Sequence, residues 1–315
     1  MQVSPNRWLW YAVYVLIIAG LAAGLYALTE RIDYTWHWSR IPQYLVSNEG
    51  TDVKAPFDGF VSIAEDRKTL TITELRGAGK QQIGGFDVLL VGEGDLVFQG
   101  DPIARVRGIR AGLLAVGLWM TLKISALSLV IALVIGLLTG LARIAANPAL
   151  RALAATYVEL IRGTPLLVQI FIFYFFLGTV LKLSAFTAGV ASLSVFTGAY
   201  VAEIIRGGIQ SVPRGQMEAA QSLGMDYLSA MRFVILPQAF RKTLPALAGQ
   251  FISLIKDSSL VSVMALTDLT KAGREVVSST FSPFEVWFTV AALYLLLTGT
   301  LSILVRRLEL RLAHD

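Results

Sequence analysis

Apolar positions in this chain collect in six long runs, at Trp8–Leu28, Gly112–Ala142, Leu166–Leu181, Phe186–Ile205, Leu244–Met264 and Phe284–Val305. A helix needs about 20 mostly apolar residues to cross the hydrocarbon core of a bilayer. Five runs meet that length and predict membrane spans. Leu166–Leu181 is short, and the amphipathic stretch before it, "LRALAATYVELIRGTP", is read as extending the same helix. The first run carries Trp8, Trp10 and Tyr11 at its start, as in an interfacial aromatic belt. It is longer than the apolar core of a cleaved signal peptide, so it is expected to remain as an anchor.

Two polar stretches break this pattern. From about Glu30 to Arg110 the period shortens to that of strands, in "GFVSIAE", "TLTITEL", "FDVLLVG" and "DLVFQGDPIARV". Turn dipeptides separate them: Asp58-Gly59, Gly77 to Gly79, Gly84-Gly85, Gly94-Asp95 and Gly100-Asp101-Pro102. A small all-β domain is predicted there. "VKAPFDGFVS" and "GEGDLVFQGDPIARV" resemble the two ends of a lipoyl-like or barrel-sandwich hybrid module. No lysine stands at the tip such a module modifies, so the resemblance implies a shape and no cofactor.

The second stretch is "EAAQSLGMDYLSAMRFVILPQAF", Glu218 to Phe240. Ser211 is read as an N-cap, with Pro213 near the first helical position. Gln216 to Leu223 favours helix, and Gly224 supplies a left-handed stop. Asp226 then caps a second helix, expected to end near Leu236 because Pro237 has no N–H to continue the ladder. Met217, Ala220 and Leu223 form one apolar stripe. Such a short helix gains stability either in a groove of another protein or against the membrane surface.

Composition agrees with the runs. The chain has 315 residues, 55% of them hydrophobic and 16% charged, and a mean hydropathy of +0.64. It has no Cys and only two His, His37 and His314, which leaves no zinc-type or thiol chemistry to read. Basic residues set the orientation. With the N-terminus inside, the inner segments hold Arg7, Arg143, Arg151, Arg162, Arg206, Arg214, Arg232, Arg241, Lys242, Arg306, Arg307 and Arg311. The short outer loops hold only Lys182, Lys271 and Arg274. The bias puts both termini and the Glu218–Phe240 stretch in the cytoplasm, and the β-like stretch outside. The net charge of +5 is that of basic inner loops rather than of a nucleic-acid binder.

Little in the chain suggests chemistry of its own. "LRGAGKQQ" lacks both the first-glycine spacing and the Ser/Thr of a phosphate-binding loop, and neither GxSxG nor HExxH occurs. The spans do carry charge, at Glu203, Lys256 and Asp257. Charges at bilayer depth usually face a bundle interior or a water-filled cavity. These three could contact a substrate bearing both an ammonium and a carboxylate, or could be structural. Glu203 and Arg206 stand at i,i+3. Two GxxxG pairs, Gly20/Gly24 and Gly136/Gly140, would permit close helix contact or be chance.

The residues from about Ala111 onward carry a family resemblance. "GQMEAAQSLGMDYLSAMRFVILPQA" resembles the cytoplasmic EAA loop of bacterial ATP-binding-cassette (ABC) importer permeases. "GLWMTLKISALSLVIALVIGLLTGLAR", "YVELIRGTPLLVQIFIFYF", "GAYVAEIIRGGIQSVPRGQ" and "QFISLIKDSSLVSVM" resemble its polar amino acid branch, of histidine and glutamine permease type. The resemblance implies an all-α integral membrane core of five spans. To this the chain adds one N-terminal span and a small all-β periplasmic insert. The expected division is anchor 1–29, insert 30–110 and permease core 111–315, with the EAA loop at 206–242.

The resemblance further implies a bacterial inner-membrane subunit with no enzyme activity and no cofactor. Its implied partners are an ABC ATPase dimer, a second permease chain and an extracytoplasmic amino-acid-binding protein. It makes Glu218, Ala219, Ala220 and Gly224 the ATPase-coupling residues. Lys256, Asp257 and Glu203 are candidates for the substrate path. The insert departs from the family, because it interrupts the approach "YTWHWSRIPQYL" to the core. The alternatives are an ion-driven secondary carrier using Lys256, Asp257 and Glu203, or a membrane-anchored adaptor.

Overall fold

The computed structural model describes residues 7–47, 50–64, 68–75, 77 and 79–312. His314 and the Ala78 position of the Gly77–Gly79 turn lie outside the described residues. Contacts divide the chain into two compact units, Met1–Arg40 and Ile41–Asp315.

The first unit holds helix α1, Arg7–Glu30, followed by a 3-10 turn at Trp38–Arg40. A Cβ placed on Gly20 or Gly24 would meet nothing within 4 Å. That GxxxG pair therefore makes no close helix contact among the described residues. Beyond α1, Trp36 stacks on Trp38 at 5.6 Å, and Tyr34 meets Trp36 edge-on.

The second unit opens with a short helix, α2 (Pro42–Leu45), and, among the described residues, nine strands. They are β1 (Val46–Ser47), β2 (Thr51–Lys54), β3 (Gly59–Ile63), β4 (Thr69–Glu74), β5 (Lys80–Gly84), β6 (Val88–Leu89), β7 (Leu96–Val97), β8 (Pro102–Val106) and β9 (Arg110–Ala111). A four-stranded sheet in the order β5-β4-β3-β7 and a three-stranded sheet β2-β8-β6 share one core. Val61, Leu70, Ile72, Val97 and Ile103 fill it. Alternation decides which residues point in: Val61 is buried while Phe60 and Ser62 on the same strand are exposed. Aspartates bind the turns, with Asp58 accepting from the Gln99 amide and Asp101 from that of Phe98. Gly94 and Gly100 hold left-handed turns at φ +82° and +96°.

The two ends of this β stretch meet. Strands β1 and β9 pair antiparallel, Val46 with Ala111 and Ser47 with Arg110. The polar stretch thus leaves and re-enters the chain through a two-residue stem. Ile41, Tyr44 and Leu45 just before it pack with Leu113, Leu114 and Leu269 after it. Replacing 48–109 with Asn-Gly should close the stem as a two-residue hairpin. The expected outcome is a core that still assembles, with a thermal midpoint in detergent near that of the full chain.

Helices follow. They are α3 (Leu113–Ala142), α4 (Pro148–Arg162), α5 (Leu166–Phe171), a π-helical segment Ile172–Leu177, α6 (Gly178–Leu181) and α7 (Ala185–Gln210). Next come α8 (Arg214–Ser222), α9 (Tyr227–Ala230), a second π segment Met231–Ile235 and α10 (Leu236–Asp257). A 3-10 turn at Ser258–Val263 leads to α11 (Leu269–Thr280) and α12 (Pro283–Leu312). Four helices among the described residues are long and apolar enough to cross a membrane: Trp8–Glu30, Leu113–Ala142, Ala185–Gln210 and Pro283–Arg307.

Two of the six expected spans come out differently. The pair Pro148–Arg162 and Leu166–Leu181 is bent by 102° at the break between them, so it is not one extended helix. Gln169 fixes the break: its Nε2 donates to the carbonyls of Ile161 and Thr164 and to the Thr164 hydroxyl. The run Leu244–Met264 is not one helix either. Its α-helix starts earlier, at Leu236, and stops at Asp257, with the 3-10 turn beyond. Arg241, Lys242, Lys256 and Asp257 keep it below the apolarity of the other spans.

The centre of the core is the seam of α3 and α7, which run parallel. Gly136 faces Val201 and Gly198, and Gly140 faces Ala202 and Ile205; nearer the helix starts, Ile124 faces Gly189. This GxxxG pair is a working contact. A Cβ on Gly136 would overlap Val201 and stand 2.9 Å from the Gly198 carbonyl oxygen. Gly136→Val should therefore destabilise the seam by about 1–3 kcal/mol, the range for overpacking. A lower thermal midpoint of the purified protein would show it, and Gly207→Ala, with nothing within 4 Å, is the control.

Candidate functional site

Helix α8 and the short α9 lie between the end of α7 and the start of α10. Ser211 is not the N-cap of α8. It closes α7, its amide bonding to the Gly207 carbonyl, and Pro213 holds the N-cap position. Gly224 takes φ +85°. Its amide donates to the Gln221 carbonyl, and the Met225 amide reaches back to that of Ala220. This double closure is the Schellman stop, which needs a left-handed residue after the helix.

The second helix does not end at Leu236. Tyr227–Ala230, the π segment and α10 run on as one rod. Pro237 is tolerated because it falls in the first turn of α10, directly after the wider π turn.

The apolar stripe of α8 divides. Ala220 is buried, and Met217 packs toward Ile209, Val212, Ile235 and Ala239 of the same chain. Leu223 is 84% exposed. Glu218, Ala219 and Gly224 are exposed too. With Leu223, Tyr227 and Leu228 they form an outward surface that mixes apolar side chains with one carboxylate. Of the four expected coupling residues, three therefore face outward and Ala220 faces in.

Polar contacts tie α8 to α10 and α10 to the end of α7. The Lys242 ammonium donates to the Ser211 carbonyl at 2.9 Å. Gln238 Nε2 donates to Gln216 Oε1 and to the Val234 carbonyl. At the α7–α10 crossing, Gly208 lies so close to Thr243 that a Cβ would overlap its methyl group. Gln238 thus links α8 to α10, and Lys242 with the Gly208 contact locks α10 to the end of α7.

Glu203 sits beside this region at the centre of a charge cluster. One carboxylate serves Arg206 at 2.9 Å, Arg143 at 3.3 Å and Arg162 at 3.6 Å. Arg206 also donates to Gln210, and the Arg162 guanidinium lies over the Tyr200 ring. The i,i+3 pairing with Arg206 is as expected from spacing. The other two partners come from α3 and α4. Arg143 and Arg162 stand at the C-terminal ends of their helices, and Arg206 lies near the end of α7, where helix dipoles favour positive charge. The cluster joins three helix ends and occupies both Glu203 oxygens.

Lys256 and Asp257 are the last two residues of α10. Lys256 is exposed and Asp257 half-buried. The structure does not bring them to Glu203: no ion pair within 4 Å joins these groups among the described residues. After them, Asp268 caps α11 by accepting from the amides of Thr270 and Lys271. Burial pushes the Asp268 carboxyl above the usual range, and those amides pull it back.

Stem and helix pair lie at opposite ends of the core. Helix α3 starts at the stem and runs about 45 Å at 1.5 Å per residue. It ends at Arg143, and the parallel α7 delivers α8 at that same end.

Residues 113–314 match the family described as binding-protein-dependent transport system inner membrane component. A glutamine transport system permease protein of Escherichia coli K12 is 43% identical over 203 residues, 64% of this chain and 93% of its own length. A probable glutamine ABC transporter permease of Bacillus subtilis is 45% identical over 197 residues, 62% of this chain and 91% of its own. Among solved structures, an amino acid ABC transporter crystallised with histidines is 44% identical, with a TM-score of 0.60 over 63% of this chain and 94% of its own. A methionine ABC transporter in an inward-facing conformation, at 23% identity and TM-score 0.58, shares the fold.

Proposed function

From the premise that this chain belongs to the family of binding-protein-dependent transport system inner membrane components, we propose that it is the permease subunit of an ABC importer for polar amino acids. The observation that carries this is the α8–α9 pair: short, exposed on its outer side, with α8 tied to α10 by Gln238 and α10 in turn locked to the end of α7 by Lys242 and the Gly208 contact. An element of this kind is a handle. Alone in water a nine-residue helix is marginal. Here its inner face is paid for by its own chain, while Leu223, Tyr227 and Leu228 remain for a groove in another protein.

The permease core is 111–315, with α1 as an added anchor and 30–110 as an extracytoplasmic insert. Both termini and the 206–242 loop are cytoplasmic, by the basic-residue bias. An ATPase dimer grips the handles of two permease chains. Closure of the dimer on ATP drives the handles together, and the braces carry the movement into α7 and α10. The path then opens outward to a liganded binding protein, and hydrolysis reverses it. The chain supplies two packed states of different stability and no covalent step. Glu218, Ala219 and Gly224 act at the ATPase contact, and Ala220 sets the pitch of α8 against its own bundle. Lys256 and Asp257 border the substrate path. Glu203 belongs to the cluster that holds α3, α4 and α7 together at the inner end.

The relatives' names point to glutamine as the first substrate to try. The test is purification from native membranes, followed by uptake in proteoliposomes. Co-purification of an ATP-binding subunit and uptake of labelled L-glutamine that needs ATP would support the reading. Uptake that survives ATP removal but collapses with an ion gradient would overturn it.

A further inference from the structure

At the core's other end, the 3-10 turn Ser258–Val263 and helix α11 border a largely open cleft of about 650 Å³. That is within the ~300–1,000 Å³ of small-molecule sites. Its wall carries Ser262, Lys271, Arg274, Glu275, Ser278 and Ser279. Arg274, Glu275, Ser278 and Ser279 are exposed on this wall. Arg274 Nη2 donates to the Ser262 carbonyl at 2.9 Å, which fixes the guanidinium at the cleft wall. Among the described residues no carboxylate lies within 4 Å of it. Glu275 pairs, among the described residues, with Lys271 at 3.9 Å.

The hydroxyls are polarised to match. Ser278 gives its proton to the Arg274 carbonyl and Ser279 to that of Val276. Both oxygens are left with lone pairs and no proton to offer, so they act as acceptors. The cleft thus has a cationic pole, Arg274, and an acceptor pole, Glu275 with the two serines; Lys271 is paired with Glu275. A carboxylate suits the first, where a guanidinium can bond it in two places. An ammonium suits the second.

We propose that this cleft is an outer waystation for the α-amino acid head group. Arg274 takes the α-carboxylate, and Glu275 takes the α-ammonium. From there the 3-10 turn leads directly to Asp257 and Lys256 at the end of α10. The inference rests on the importer reading and adds the place where the solute first touches this chain.

The experiment uses the complete transporter in proteoliposomes with saturating liganded binding protein and labelled L-glutamine. Uptake by the wild type is the control for the importer reading itself; without it both readings fall together. Given that control, Arg274→Gln and Glu275→Gln should each cut maximal uptake at least tenfold while ATP hydrolysis continues. Arg274→Lys and Glu275→Asp should recover part of the loss. Equal assembly of each variant is checked by size-exclusion chromatography. Uptake within twofold of wild type in both neutral variants overturns the proposal. So does an unchanged maximum with a higher binding-protein requirement, which would make the cleft a docking surface for that protein instead.

Discussion

Replacing Gly224 by valine is expected to lower ATP-dependent uptake at least tenfold while the protein still inserts and assembles. The reason is conformational. A Cβ at this position would meet nothing within 4 Å, so there is no clash to relieve. The backbone sits at φ +85°, where a β-branched residue is a true outlier. A non-glycine residue there costs about 1–2 kcal/mol, too little to unfold the bundle. It is enough to undo the two hydrogen bonds that set the angle between α8 and α9. Asparagine tolerates the left-handed region best among the other residues, so Gly224→Asn should keep most of the uptake. Both variants are compared with wild type for uptake and for ATP hydrolysis in the same proteoliposomes. Equal uptake by the valine and asparagine variants would mean that this turn is not part of the coupling.

The second large effect belongs to Glu203. Its removal leaves three guanidiniums facing one another at the C-terminal ends of α3, α4 and α7. Breaking a fully buried pair costs about 3–5 kcal/mol, and exposed pairs contribute ~0–1. The side chains here are between those limits, Glu203 at 19% exposed and Arg162 at 45%. Glu203→Ala should therefore destabilise by about 1–3 kcal/mol. The thermal midpoint of the purified protein reads this, and a double-mutant cycle isolates its cause. Arg143→Ala should cost less in the Glu203→Ala background than in the wild type, because it then removes an unpaired charge. Additive effects would show that the four groups do not act as a unit.

Much of this arrangement is legible along the chain because it is local. The Gly224 stop, the strand alternation around Val61 and the turns at Gly94 and Gly100 depend on neighbours in sequence. The Gly136/Gly140 contact is legible as spacing, although the identical spacing at Gly20/Gly24 makes no such contact. What spacing could not supply was tertiary. Arg143 and Arg162 reach Glu203 only because three helix ends converge, and no single segment records that. The break at Thr164 depends on Gln169 reaching back across a turn. Pro237 misleads for a related reason: the π segment before it spares the hydrogen bond that proline would otherwise break. Ser211 has the right chemistry for an N-cap but is already used to end α7. The stripe on α8 was visible, but its division into an inward Ala220 and an outward Leu223 was set by what α7 and α10 leave uncovered.

The β stretch shows the same division between local and tertiary information. Its strands follow from alternation and turn residues. That its ends close through β1 and β9, so that it hangs from the core by a stem, follows from pairing across some 60 residues.

The claim on which the rest depends is that the outer face of α8 sits in an ATP-hydrolysing neighbour. The chain has no cysteine, so a single one can be placed at Ala219 without competing thiols on this chain. A short thiol-to-amine cross-linker applied to native membranes, with mass spectrometry of the product, reads what lies against it. The expected product joins this chain to an ATP-binding subunit, in a yield that changes when ATP is added. A chain that is never linked to such a subunit, yet still carries solute inward in membranes depleted of ATP, would contradict the account.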